Sequence, residues 1–188
     1  SLMGAAIDAE EIWFWKETSG IMTTDPKIGP EAKSIPAISY LEAMELSNFG
    51  AKVLHPRAIE PAIRKGIPVR VKCTFDPDIP GTQIVHDDVP KADVIKAVTL
   101  HKNVALLNIS GAGMIGTLGV AARAFTALAR AGINIVMISQ GSSEANISMV
   151  IEERQVEKAE DALRAEFPRD LVKEISHDHD VCTVAVTG

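Results

Sequence analysis

From Val104 to Phe167 the chain reads strand, glycine turn, helix, strand, strand, helix, and the opening of that series is written again from Leu171 to Gly188. Set against Val94 to Gly111, the second copy matches at Lys96 and Lys173, Val104 and Val181, and Gly111 and Gly188, with apolar and polar positions in step. Both copies hold a polar stretch in the middle, Leu100-His-Lys-Asn103 and His177-Asp-His-Asp180, read here as turns. A recurring unit of this kind points to one supersecondary structure used in tandem, and a small-molecule sensing module is the expectation. The second copy stops at its glycine, so it is expected to supply strands without the helix that follows in the first.

Gly111-Ala-Gly113-Met-Ile-Gly116 follows a strand and opens a helix, which matches the dinucleotide fingerprint G-x-G-x-x-G. The context that fingerprint requires is missing. Asn134-Ile-Val-Met-Ile-Ser139 runs into Gln140-Gly-Ser-Ser143 rather than an acidic residue, and Asn146-Ile-Ser-Met-Val-Ile151 follows too soon for a parallel crossover. A hairpin is expected there, giving βαββαβ with an antiparallel sheet. The glycines then serve close approach of the loop to a neighbour or ligand. The first helix is expected to bury Leu118, Ala121, Phe125, Leu128 and Ala129, and the second Val156, Ala159, Leu163 and Phe167.

The first half alternates strand and helix. Glu11-Ile-Trp-Phe-Trp15 suits a parallel strand leading into a functional loop. Ser39-Tyr-Leu-Glu42 is a capping box, so a helix should start there and carry Leu41, Met44 and Phe49 toward a core. Pro56 suits a first helical turn and Gly66 a C-terminal cap, with Ile59, Ala62 and Ile63 on one face. Ile67 to Phe75 alternates as a strand and turns back into Thr82 to Val85. The polar stretch His86 to Asp93 is the expected boundary between residues 1–92 and residues 93–188.

Composition narrows the function classes. With 46% hydrophobic residues the chain can bury a core, and a net charge of −6 gives no footprint for nucleic acid or an anionic membrane surface. No apolar run is long enough to span a bilayer, and a cytoplasmic protein is expected. Cys73 and Cys182 lie in strand-like runs and read as reduced, buried thiols. Ser1-Leu2 reads as an addition ahead of a chain that starts in mid-pattern. His177 and His179 invite a metal reading, but their place in the repeat makes the polar turn the preferred one, and no metal site is expected.

Phe49-Gly-Ala-Lys-Val-Leu-His-Pro56, with Met22-Thr-Thr-Asp-Pro26 upstream and Val71-Lys-Cys-Thr-Phe-Asp-Pro77 downstream, resembles the C-terminal half of an aspartate kinase catalytic domain. Ile109-Ser-Gly-Ala-Gly-Met114, Ile138-Ser-Gln-Gly-Ser-Ser143 and Asn146-Ile-Ser148 resemble that family's first ACT regulatory domain. The resemblance implies an α/β and α+β chain: a partial amino acid kinase-like α/β domain followed by a ferredoxin-like ACT domain, with part of a second. It implies a parent enzyme that phosphorylates the aspartate β-carboxylate with ATP and Mg and is feedback-controlled by lysine or threonine. The family's phosphate loop would precede Ser1, so no catalytic residue is expected here and the chain alone is expected to be inactive.

For nucleotide contacts, the resemblance implies Lys16, Glu17 and Met22 at the adenine and ribose, Lys27 and Lys52 near the phosphates, and Val53 against the base. For the amino-acid effector it implies the loop Met114, Ile115, Gly116 to Gly119, the strand start Asn134 and Ile135, Gln140, and Asn146 with Ile147. It also implies that ACT units pair into a homodimer, and that Val94 to His101 and Leu171 to Asp178 exchange between the two units. A stand-alone amino-acid-binding regulatory module is the alternative reading of the same residues.

Overall fold

The computed structural model describes residues 1–48, 54–86 and 95–188. The chain divides into two compact units, Ser1–His101 with Val184–Gly188, and Lys102–Thr183. Most of the stretch expected as a domain boundary, after His86, lies outside the described residues, as does Phe49.

In the first unit, strands β1 (Ile12–Lys16), β2 (Ala37–Ser39), β3 (Val69–Cys73) and β4 (Thr82–Val85) form a sheet in the order β1-β3-β4-β2. β1 and β3 are parallel, with Ile12 opposite Val69 and Lys16 opposite Cys73, and β3 turns back antiparallel into β4. One face is apolar: Ile38, Val69, Val71 and Ile84 are fully buried against Leu46 of helix α2 (Tyr40–Asn48) and Ile59 and Ala62 of α3 (Pro56–Lys65). The other face carries Trp13 and Trp15, both about half exposed, with the Lys72 ammonium 4.9 Å from the Trp13 ring centre. A short helix α1 (Leu2–Ala6) precedes the sheet.

Local signals set these helices. The Ser39 N–H donates to Glu42 Oε2 at 2.8 Å and the Glu42 N–H donates to Ser39 Oγ at 3.2 Å, the reciprocal pair of a capping box. α3 starts at Pro56 and ends at Gly66, which adopts φ 65°. The buried face of α2 differs from expectation. Tyr40, Ala43 and Leu46 point inward, Met44 is half-buried, and Leu41 is 62% exposed. The Tyr40 hydroxyl donates to the Ile67 carbonyl, which turns the helix so that the residue directly after the cap, not Leu41, leads the core face.

In the second unit, the strands β5 (Ala97–Ser110), β6 (Ile135–Gln140), β7 (Asn146–Glu152) and β8 (Glu174–Thr187) lie in the order β6-β7-β5-β8. With helices α4 (Val120–Arg130) and α5 (Val156–Glu166) between them, this is the ferredoxin-like βαββαβ plan. β7 is antiparallel to both β5 and β6, so the glycine-serine turn makes a hairpin. Ala105, Leu107, Ile109, Ile147, Met149 and Ile151 are wholly buried under both helices. α5 buries Val156, Ala159 and Leu163, with Phe167 capping it, as its spacing requires.

The α4 stripe is corrected. Val120, Ala124, Ala127 and Leu128 are buried, Ala121 and Phe125 are half-buried, and Leu118 is 96% exposed along with an exposed Ala129. Gly119 caps the helix at φ 82°, so Leu118 lies ahead of the first turn and the stripe rotates. The two polar stretches are not turns: β5 and β8 each run unbroken through them, with Asn103 at φ 60° and Asp180 at φ 57°. Asn and Asp tolerate this left-handed conformation, so the strand bends without ending. Cys73 is buried as expected, but Cys182 is exposed because alternation on β8 turns it outward.

β5 and β8 contribute to both units. In the first, the Lys96 N–H donates to the Thr187 carbonyl at 2.8 Å and Ala97 sits in the core. Lys96 Nζ is 2.7 Å from Glu42 Oε1, with both side chains largely buried. Burial pushes the Glu42 carboxyl up, but hydrogen bonds from Lys96 and Ser39 outweigh it and hold the group below its ordinary value of 4.5. Because the folded-state value is depressed, the stabilisation is fully present above the unfolded value and is lost as pH falls through 4.5 toward the folded one. Urea unfolding against pH checks this: Glu42→Gln is expected to be less stable than the parent at neutral pH, with the gap closing in acid.

Candidate functional site

Two loops meet at one end of the second unit's sheet. After Ser110 the chain enters a 3-10 turn, Ala112–Met114, and the Met114 side chain is buried in the core, so this loop is fastened from below. The glycines are needed for packing: a Cβ on Gly113 would lie 2.5 Å from the Asp170 carbonyl oxygen, and one on Gly111 2.5 Å from that of Leu171. The expected close approach is therefore to the chain's own backbone. The Gly111 N–H donates to the Ala145 carbonyl at 2.9 Å, and the Gly116 N–H donates to Glu144 Oε2 at 3.1 Å. These two bonds join the glycine loop to the β6–β7 hairpin turn.

On the hairpin, the Glu144 N–H closes the turn onto the Gly141 carbonyl at 3.0 Å. The Asn146 amide lies against Gly141, where a Cβ would come within 2.5 Å of Asn146 Oδ1. Gln140 is exposed, as are Ile115, Gly116 and Gly119. Ile147 is wholly buried, so it and Met114 offer a ligand their backbone only. The joined loops thus present amide donors and acceptors from Gln140 and Asn146, one carboxylate from Glu144, and apolar surface from Ile115 and Leu118. That set suits a small zwitterion.

Asn134 and Ile135 are elsewhere. Ile135 begins β6 and Asn134 directly precedes it, whereas Gln140 ends it, so about 17–20 Å of extended chain separates them. Asn134 is exposed and Ile135 packs against the core. Glu144, which fastens the loops, was not singled out from the sequence. Its partner is 28 residues away, and no local pattern announces such a contact.

In the first unit, the residues expected at a nucleotide lie on or after β1. Lys16 ends β1, and Glu17 follows with its carbonyl 3.8 Å from the Cys73 thiol. Met22 pairs with Ser34 across the loop, and the Lys27 N–H donates to Asp25 Oδ1 at 2.9 Å in a local turn. Lys52 and Val53 lie outside the described residues. Thr82, wholly buried, holds the loop: its Oγ1 accepts the Ile21 N–H at 2.7 Å and donates to the Ile35 carbonyl at 2.6 Å. The ammonium groups of Lys16 and Lys27 make no hydrogen bond or ion pair among the described residues. No cluster of three or more His, Cys, Asp or Glu suited to a metal ion occurs among the described residues, and no described helix is long and apolar enough to cross a membrane.

Known proteins match both parts. Residues 1–73 match the amino acid kinase family and residues 107–167 match the ACT domain. The chain is 37% identical over 99% of its length to a bifunctional aspartokinase/homoserine dehydrogenase of Haemophilus influenzae, covering 23% of that protein. It is also 37% identical over 92% of its length to the chloroplastic aspartokinase 2 of Arabidopsis thaliana, covering 31%. The chain therefore spans under a third of these relatives. Among solved structures, Clostridium acetobutylicum aspartate kinase superposes with a TM-score of 0.84 at 28% identity, covering 99% of this chain and 43% of that one. Escherichia coli aspartokinase III in complex with aspartate and ADP superposes with a TM-score of 0.81 at 28% identity, covering 98% and 41%.

Two substitutions test the loop anchors. Thr82→Val keeps the shape and strips the hydroxyl, leaving the Ile21 N–H buried without an acceptor, and should cost about 1–3 kcal/mol in urea unfolding. Glu144→Ala should leave global stability within about 0.5 kcal/mol, since the residue is exposed. It should nonetheless speed amide hydrogen exchange at Gly116.

Proposed function

This chain belongs to the aspartate kinase family, and we propose that it is the regulatory part of such an enzyme together with the adjoining end of the kinase domain. The parent enzyme transfers the γ-phosphoryl group of ATP, with Mg, to the β-carboxylate of aspartate. Lysine or threonine binds the ACT unit and controls that reaction. The observation that carries the reading is the junction of the Gly111 to Gly119 loop with the hairpin through the Gly116–Glu144 and Gly111–Ala145 hydrogen bonds. A solved Escherichia coli aspartokinase III is a complex with lysine and aspartate, which supports an amino acid as the ligand.

On this reading Lys16 and Lys27 approach the nucleotide, with Lys27 and Lys52 toward its phosphates and Glu17, Met22 and Val53 near its base and ribose. ATP supplies the phosphoryl group; the lysines contribute charge that offsets the developing negative charge on it. The 188 residues alone are expected not to complete the transfer, because the solved aspartate kinases contain more than twice as much chain.

A homodimer completes the effector site. β6 is an edge strand with no charged residue, and Met137 and Ile138 are about half exposed. If two copies pair β6 against β6 in antiparallel fashion, the Asn134 end of one meets the Gln140 end of the other. The two groups of effector residues, far apart on one chain, then face a single ligand.

A stand-alone amino-acid-binding module remains the second reading, favoured by the separate core of Lys102–Thr183. Calorimetric titration with lysine and, separately, threonine tests the common element. Saturable heat with one of them, lost in Gln140→Ala, is expected. No heat with either overturns the effector assignment, and aspartate-dependent ATP turnover by this chain overturns its proposed inactivity.

A further inference from the structure

Apart from the effector loops, the second unit has a hollow of about 340 Å³ lined by Glu153, Arg154, Glu157, Glu160, His177 and His179. We propose that His177 and His179 chelate a divalent first-row transition ion in this hollow through their Nε2 atoms, with Zn²⁺ as the representative ion.

The two histidines are two residues apart on β8, so they project from one face of the strand. Their ring centres are 4.6 Å apart. His177 Nδ1 lies 2.5 Å from Glu160 Oε1, and His179 Nδ1 lies 3.3 Å from Glu153 Oε1. A carboxylate accepts, so each Nδ1 is the donor, and in the neutral tautomer this selects, Nε2 is the nitrogen that offers a lone pair. Metal-binding histidines are commonly oriented by just such carboxylate partners. Neither Nε2 has a hydrogen-bond partner among the described residues. A tetrahedral ion about 2.0–2.1 Å from each nitrogen needs them about 3.3 Å apart, within reach of rings spaced as these are.

The surroundings favour a cation. Glu153, Glu157 and Glu160 face the hollow, while the charge of Arg154 is drawn off by Glu152, 2.7 Å from its Nε. Imidazole pairs select zinc, copper or nickel over magnesium or calcium, which prefer oxygen. Since no three metal-ligating side chains converge among the described residues, the chain supplies two ligands and water the rest. With water in the remaining positions the site is an open, exchangeable one, distinct from a closed four-ligand structural zinc centre. Because Glu160 is on α5 and Glu153 is in the turn before it, a bound ion ties β8 to that helix through the oriented histidines.

Titration calorimetry of the whole chain with Zn²⁺ in a non-coordinating buffer near neutral pH tests this. One saturable equivalent is expected, weakened about ten-fold or more in His177→Gln and in His179→Gln. It should be unchanged in His55→Gln and Cys182→Ser. An absence of saturable binding overturns the proposal, as does equal binding by the double histidine variant. Should the histidine variants unfold, the parent chain with Cu²⁺ gives an independent reading by electron paramagnetic resonance: two coordinated imidazole nitrogens support the site, and an oxygen-only spectrum overturns it.

Discussion

Strand β5 is the constraint on which both units depend. Against β7 it holds seven successive pairs, from Val104 opposite Glu152 to Ser110 opposite Asn146, and this register buries Ala105, Leu107 and Ile109. A slip by one residue would turn those side chains to the other face and carry Ser110 away from Asn146. The glycine loop would then lose the Ala145 carbonyl that it meets at Gly111, and Gly116 would lose Glu144. Loop geometry is thus inherited from sheet register. At its other end the Val98 N–H donates to the Thr23 carbonyl at 2.8 Å, within the loop proposed to face nucleotide.

Buried polar groups hold that first end in place. Thr82 spends its whole hydroxyl on the Ile21 N–H and the Ile35 carbonyl, closing the base of the loop that contains Thr23. Glu42 does two jobs: one oxygen completes the capping box and the other meets Lys96. Desolvating such a pair offsets much of its attraction, so its main consequence is positional. The ammonium at the entry to β5 meets the Glu42 carboxylate, and that carboxylate is tied to the first turn of α2. The same helix end that the sequence announces as a cap is therefore also an anchor of β5.

What was legible in the sequence was local. Ser39 and Glu42, Pro56 and Gly66, the glycine-serine hairpin and the stripe of α5 each depend on residues a few positions apart, and each formed as read. The buried faces of α2 and α4 differ from their sequence patterns because a helix's phase depends on where its first turn locks. Tyr40 locks onto Ile67, and Gly119 delays α4 past Leu118. Bonds across long separations, Glu144 to Gly116 and Thr82 to Ile21, left no pattern to find. Asn103 and Asp180 showed the composition of turns but adopt a single left-handed residue within a continuous strand. Lys52 and Val53 lie outside the described residues, so the nucleotide side is described through Lys16, Glu17, Met22 and Lys27 alone.

The repeat makes the two edges of the second sheet unlike. Its two copies became hydrogen-bonded neighbours, β5 beside β8, and each bends at the same aligned position, Asn103 in one and Asp180 in the other. As the outer of the pair, β8 presents His177, Asp178, His179 and Asp180 at that bend, all exposed. A bend together with charge discourages a further strand from adding there. β6, at the opposite edge, is uncharged, with Met137 and Ile138 about half exposed and one register irregularity against β7 between Ile135 and Met137. The proposed dimer, if it pairs through β6, takes its geometry from this edge. Because that side carries Asn134 at one end and Gln140 at the other, an antiparallel dimer places the proposed effector residues together twice, once at each end of the paired strands.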